Sequence, residues 1–185
     1  MLEKKIMIDG KPVKFRASAA VPRLYMALTG SDIFSDIGDL TEQFHKPAET
    51  SEQQKAQIDL KDLGKMSTFE NIAYVMAKAA DSSVPDTVEE WLDQFGMMSV
   101  WRAFPQIAKL WAASQKTNVD LKKKERPTER PMTTALFLLR CVELGLSMED
   151  LNVLTYGMVI DMFSERSNDD YDYPIRATQR DFDTF

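Results

Sequence analysis

His45 is the only histidine and Cys141 the only cysteine in this 185-residue chain. Imidazole or thiolate chemistry would therefore have to be built from one of each. His45 stands before Pro47 in the most polar part of the sequence, and no HxxxH, HExxH or CxxC spacing brings further ligands to it. It reads as a solvated loop histidine. Cys141 lies among Leu138, Val142 and Leu144, where a thiolate nucleophile would lack the base and the electropositive surroundings it needs. It reads as a small core residue, and a lone cysteine excludes an intramolecular disulfide. Three carboxylate pairs could do acid–base or metal work. Glu89-Glu90 and Glu149-Asp150 fall in predicted helix first turns, where negative charge complements the helix dipole, and Asp169-Asp170 falls in an acidic tail. No GxxxxGK[ST], GxGxxG or GxSxG occurs, so phosphate cradles and nucleophile elbows are not expected. The expectation is a protein with no catalytic, cofactor or metal site.

Charge divides the chain more clearly than any motif. Residues 1–115 carry 13 Lys and Arg against 16 Asp and Glu, residues 116–131 carry 6 against 3, and residues 132–185 carry 4 against 10. A basic strap, net +3, thus joins a mildly acidic segment, net −3, to a strongly acidic one, net −6. The strap sequence KTNVDLKKKERPTERP has no apolar face and is expected to be an extended or disordered linker. Its Lys122, Lys123 and Lys124 read as solvated linker residues, with docking on an acidic tail or on RNA as the alternative. A formal charge of −6 argues against dedicated nucleic-acid binding. No apolar run reaches the roughly 18–20 residues that span a bilayer, and MLEKKIMIDGK turns polar too early for a signal peptide. A soluble protein of the cytoplasm is expected.

The elements that must hold these residues are mainly helical. Asp9-Gly10 between the alternating pairs Ile6, Ile8 and Val13, Phe15 predicts a short N-terminal β-hairpin with a type I′ turn. An isolated hairpin is marginal in water, so its apolar face must lie on the following helices, as a lid, or on a neighbouring copy, which would make self-association one of its partners. Pro22 to Gly30 predicts a helix, and Ser31 is placed to cap a second one through Ile33, Phe34 and Ile37. The strongest pattern starts at the capping-box sequence Ser67–Glu70, and Asp86 with Glu89 repeats it ahead of Trp91, Leu92 and Phe95. Trp101 to Trp111 continues the periodicity, with Pro105 read as a break between helices. After the strap, Leu136 to Leu146 is apolar on nearly all sides, which predicts burial on more than one face. Ser147 is placed to cap one last long helix carrying Leu151, Leu154, Met158 and Met162. The predicted architecture is a hairpin and helical bundle over 1–115, a flexible linker over 116–131, and a small acidic helical module over 132–185. Two hydrophobic helices make a poor core alone, so that module is expected to lean on the first or on a partner.

Eleven methionines are an excess. Ordinary core filling is the favoured reading, against a repackable surface for varied apolar partners. Trp91, Phe95, Trp101 and Trp111 are candidate anchors for such a client. Tyr171, Tyr173, Phe182 and Phe185 alternate with acids in the tail and are candidates for a second contact, as a peptide that wraps a partner or folds back on residues 1–115.

IDGKPVKFRAS, FENIAYVMAKAADSSVPDTVEEWLDQF and MTTALFLLRCVELGLSMEDLNVLTYGMVIDMFSERSNDDYDYPIRATQRDFDTF together resemble the tail assembly chaperones of long-tailed phages of Gram-positive bacteria. The likeness is to the long form made by programmed ribosomal frameshifting, analogous to the G-T fusion of phage lambda. It implies that residues 1–115 bind the tape measure protein and keep it soluble, and that residues 132–185 recruit tail tube subunits. It also implies action in the host cytoplasm and absence from the mature virion, and that the codons for Lys122 to Lys124 are a slippery site. The alternative is a structural virion protein, such as a head-tail connector or minor tail subunit.

Overall fold

The computed structural model describes residues 2–37, 60–96, 98–120 and 130–169, with side chains from residue 66 onward in the segment that starts at 60. His45, Lys122, Lys123, Lys124, Tyr171, Tyr173, Phe182 and Phe185 lie outside the described residues. The fold is mainly helical with an N-terminal two-stranded antiparallel hairpin. Strands β1 (Leu2–Ile8) and β2 (Lys11–Ala17) pair with Ile6 opposite Val13 and Ile8 opposite Lys11. Asp9 at φ 49° and Gly10 at φ 74° make the expected turn, since a type I′ turn needs positive φ at both central residues. Ile6, Ile8, Phe15 and Ala17 are buried on one side of the ribbon. Of the two predicted roles for that face, this chain uses the lid. The ribbon lies on α2 (Leu60–Ala80) and α4 (Ser99–Ser114), the first against β2 and the second against β1.

Between the hairpin and α2, α1 (Val21–Thr29) carries Pro22 in its first turn and ends at Gly30, whose φ of 74° is the left-handed stop the sequence predicts. Residues 33–37 are helical, and their cap is Asp32 rather than Ser31, with Phe34 N–H donating to Asp32 Oδ1 at 3.0 Å. α2 begins at Leu60, so Ser67 lies inside it and does not start it. At the next start the cap is Thr87, which accepts from Glu90 N–H at the head of α3 (Val88–Leu92); Asp86 instead takes Lys78 at 2.8 Å. Pro105 breaks nothing. It sits inside a continuous α4, exposed on the side away from the buried Val100, Ala103, Ile107 and Leu110, where its missing N–H and displaced carbonyl partner face outward.

The C-terminal helices are α5 (Thr134–Glu143), α6 (Asp150–Val153) and α7 (Tyr156–Asn168). The one long helix predicted after Ser147 is two. Ser147 caps as expected, accepting from Asp150 N–H on Oγ at 3.2 Å, and Asp150 answers by accepting from Ser147 N–H on Oδ2 at 2.8 Å. The chain then turns extended at Leu154, and Thr155 caps α7 afresh through Met158 N–H. α5 also differs from expectation. Thr134, Phe137 and Cys141 are buried, while Leu139 and Val142 stand 51% and 56% exposed, so one face is covered and the opposite one is not.

These helices pack on α1. Ala19, Ala20, Phe137, Cys141, Leu151 and Val159 form a second buried cluster, and Ala19 N–H and Ala20 N–H donate to the carbonyls of Leu154 and Leu151 at 2.8 and 3.0 Å. Asp32 also caps α5, accepting from Thr134 N–H at 2.7 Å. The opening of the strap is held as well. Asn118 N–H and Val119 N–H donate to Asp161 at 2.9 and 3.0 Å, and Asn168 Nδ2 donates to Asp120 O at 2.9 Å. Gly157 permits this seat, because a Cβ there would lie 1.9 Å from the Lys116 carbonyl oxygen.

Two consequences are measurable. Gly157→Ala gains up to about 1 kcal/mol of helix propensity but drives a methyl into backbone that cannot swing aside. We expect a net loss of about 1–3 kcal/mol in urea unfolding, with faster amide exchange over residues 116–120. The second concerns Asp9. It accepts from Ser99 Oγ and from Gly96 N–H, at 2.5 Å for the latter, and those bonds hold its carboxyl below the usual range. A depressed folded-state pKa stabilises the fold above the unfolded value of about 3.9, and that contribution disappears as pH falls through the folded value. Asp9→Asn keeps a turn-forming Asn-Gly and removes the charge. Its Tm should fall below that of the native chain at about pH 7, and the gap should close in melts at about pH 3 and lower.

Candidate client-binding surface

The four aromatic residues singled out in the first segment separate by depth. Trp91 is 1% exposed and sits in the core. The Phe15 ring meets it edge-on with centroids 6.5 Å apart, Tyr74 lies at 5.9 Å and Phe95 at 5.4 Å. It therefore clamps the hairpin to α2 and α3 and has no surface to offer a client. Phe95 is half-buried under the Lys11 ammonium, which stands 5.8 Å from its ring centroid. The turn Asp9–Lys11 is thereby joined to residues 94–96 and to Ser99 by a cation–π contact, by Lys11 Nζ donating to Gln94 O at 2.9 Å, and by the Asp9 bonds.

Trp101 and Trp111 are different. At 100° per residue, Trp101, Phe104 and Trp111 fall within about 80° of one another along the edge of the buried face of α4. All three are half-buried. Trp101 stacks on Phe104 with centroids 6.1 Å apart, meets Phe69 at 4.8 Å, and donates from Nε1 to Glu70 Oε1 at 3.2 Å. The Trp101 indole N–H is satisfied within the fold, so Trp101 and Phe104 are held in place.

The surface that sequence reasoning missed lies further along the chain. Among the described residues, eleven large apolar side chains are exposed, and seven of them fall between Met132 and Val153 or on α7. Leu139 and Val142 form the outer face of α5, and Met158 and Met162 follow at helical spacing on α7. Seven of the eleven are methionines, whereas Met76 is the one methionine in the buried core of the described residues. The favoured reading of methionine as core filler is thus corrected: most of the described methionines line the outside. Composition carried that signal, but the near-continuous apolar run over α5 hid which side would be left open.

Groups with chemistry of their own are placed structurally. Cys141 is fully buried, and desolvation pushes its thiol up to about 11, so it stays protonated at neutral pH. Tyr25 is raised further by burial and by its bond to Asp36 at 2.7 Å. Glu89 and Glu90 occupy the first turn of α3, and Asp150 is lowered by its Ser147 bonds. Among the described residues no three His, Cys, Asp or Glu side chains converge on a metal-sized site, and no helix is long and apolar enough to cross a membrane.

The difference in depth predicts a difference in effect. Trp91→Ala should cost about 3–5 kcal/mol in urea unfolding, as removal of a fully enclosed indole does. Trp111→Ala should cost at most about 2 kcal/mol. A client-binding defect in the first variant should therefore track its loss of fold, whereas one in the second should appear in a protein whose melt is nearly intact.

Comparison of the chain with protein-family models, with curated proteins and with solved structures finds no match.

Proposed function

We propose that this protein is a non-enzymatic tail assembly chaperone of a long-tailed phage of Gram-positive bacteria. In this reading residues 1–115 hold the apolar helices of the tape measure protein in solution, and the C-terminal region recruits tail tube subunits. Tyr171, Tyr173, Phe182 and Phe185 supply its aromatic contacts. The protein works in the host cytoplasm and is left out of the finished particle. The supporting observation is the outward placement of methionine together with Leu139 and Val142. An unbranched, polarizable side chain adapts to changing apolar partners at little entropic cost to the fold, and several large apolar side chains left open on two neighbouring segments favour a contact site there. That surface is richest on α5 and α7, which favours those helices as part of the tube-subunit contact and leaves the aromatic row of α4 to the tape measure protein.

Co-expression with a helix-rich tape measure protein should move that client from the pellet to the supernatant, and an equally insoluble client with and without this chain would sink the proposal. Leu139→Ser with Val142→Ser, or Met158→Ser with Met162→Ser, should weaken rescue or tube-subunit capture. Unfolding should change by no more than about 1–1.5 kcal/mol per site, because each side chain is already 37–56% exposed. Mass spectrometry of purified particles separates this reading from a head-tail connector or minor tail subunit, which would be found there in stoichiometric amount.

A further inference from the structure

A groove of about 930 Å³ runs between α5 and α7, away from the Asp9 and Trp91 contacts. Among the described residues its apolar wall includes Met132, Leu136, Ile160 and Phe163, and its rim carries Arg130, Arg140 and Arg166 against one acid, Glu143. Glu143 is already engaged: its carboxylate takes Arg140 at 2.7 Å, and its carbonyl accepts from Arg166. The groove is therefore net positive in a region whose sequence is strongly negative. At this volume it exceeds most small-molecule sites and suits several side chains of a peptide.

We propose that this groove receives the chain's own residues 170–185. Three observations select that occupant. The chain leaves α7 at Asn168, one residue beyond Ser167 on the groove wall, so the segment starts at the groove's mouth. Its sequence, DYDYPIRATQRDFDTF, sets four Asp against Arg176 and Arg180, net −2, with the acids at its two ends; Asp170, Asp172, Asp181 and Asp183 are offered to the arginine rim and Tyr171, Tyr173, Phe182 and Phe185 to the apolar wall. Sixteen residues extend to about 50 Å, several times the roughly 12 Å rise from Leu136 to Leu144, so reach is no obstacle. A tethered segment also acts at an effective concentration near the millimolar range, which a second copy or a free peptide must exceed. Arginine is suited to such a rim because its fork pairs carboxylates bidentately and stacks on aromatic faces. The proposal does not depend on the identity of any client. It makes the groove an acidic-aromatic peptide site that an incoming partner must compete for.

The test uses the full chain with p-benzoylphenylalanine in place of Met132, which is 40% exposed at the groove edge. Irradiation should give a crosslink that peptide mapping places within residues 170–185, at the mobility of a monomer. In parallel, a labelled synthetic peptide of residues 170–185 is titrated onto the native chain and onto the full chain carrying Tyr171→Ala, Tyr173→Ala, Phe182→Ala and Phe185→Ala. The vacated groove should bind the peptide about tenfold or more tightly than the native chain does. Arg140→Gln with Arg166→Gln should reduce that binding, with circular dichroism confirming the fold. Crosslinks elsewhere in the chain, equal peptide affinity for both proteins, or no binding to either would overturn the proposal. A crosslink to residues 170–185 at the mobility of a dimer would overturn it in favour of a second copy.

Discussion

The arrangement turns on three small residues. Ser18, Ala19 and Ala20 join the hairpin to α1 and are almost completely enclosed. Their backbone does what their side chains are too small to do. The donors ahead of α1 meet the acceptors around the end of α6, through Ala19 to Leu154 and Ala20 to Leu151. Helix ends leave such groups unmatched, and a buried unmatched group costs about as much as a lost hydrogen bond. Joining a helix start to a helix end answers both deficits at once. It also requires the two backbones to approach closely, which a larger side chain at either alanine would prevent. The hairpin is marginal alone, and α6 is a single turn; each persists because this junction and the ribbon's buried face fix them to longer helices.

From that junction follows which surfaces are covered. α5 presents Phe137 and Cys141 to the alanines and to Leu151, with Phe34 and Tyr156 against the Phe137 ring at 6.1 and 5.1 Å. Only one side of the helix can face so small a platform. Leu139 and Val142 are left outside for a geometric reason, since no further element of the described chain reaches them. The exposed methionines and the groove above α7 belong to the same circumstance: a segment with more apolar residues than its own fold can enclose.

The sequence made the local turns legible and the tertiary choices illegible. Asp9-Gly10, Gly30 and the Pro22 start were readable because each depends on the backbone freedom of one or two residues. Pro105 was misread because its cost depends on which way the helix faces, and it faces outward. Ser67 was misread because the helix starts at Leu60, so the capping-box pattern has no helix end to mark. Trp91 and Trp101 look alike in sequence, each half of an aromatic pair at helical spacing; only the position of Phe15, far away in the chain, makes one a clamp and leaves the other at the rim. The split at Leu154 was hidden because the apolar stripe continues across it. The second contact of Asp32, with Thr134, joins residues 102 apart in sequence and left no local trace. Of the proposed contact surface, the methionine excess was visible and its location was not.

The charge seam at residues 116–131 suggested two modules that act separately, but the packing bears on that independence. Leu24 and Phe34 border both buried clusters, so a shift of α5 or α7 is felt by α1 and, through it, by α2. Asp161 and Gly157 hold the start of the strap on α7, so the chain does not leave α4 as a loose tether. Neighbouring groups that share packing partners couple by about 0.5–3 kcal/mol, whereas sites more than about 10 Å apart with no shared partners usually add. A change on α5 and a change on α1 therefore meet at Leu24 and Phe34. Removing residues 116–185 would uncover Ala19, Ala20 and Phe34 as well as delete a binding surface, so loss of activity in a truncated chain would report on the fold before it reported on the partner. Point changes at exposed positions keep the two effects apart, because the side chains they alter contribute almost nothing to the enclosed clusters.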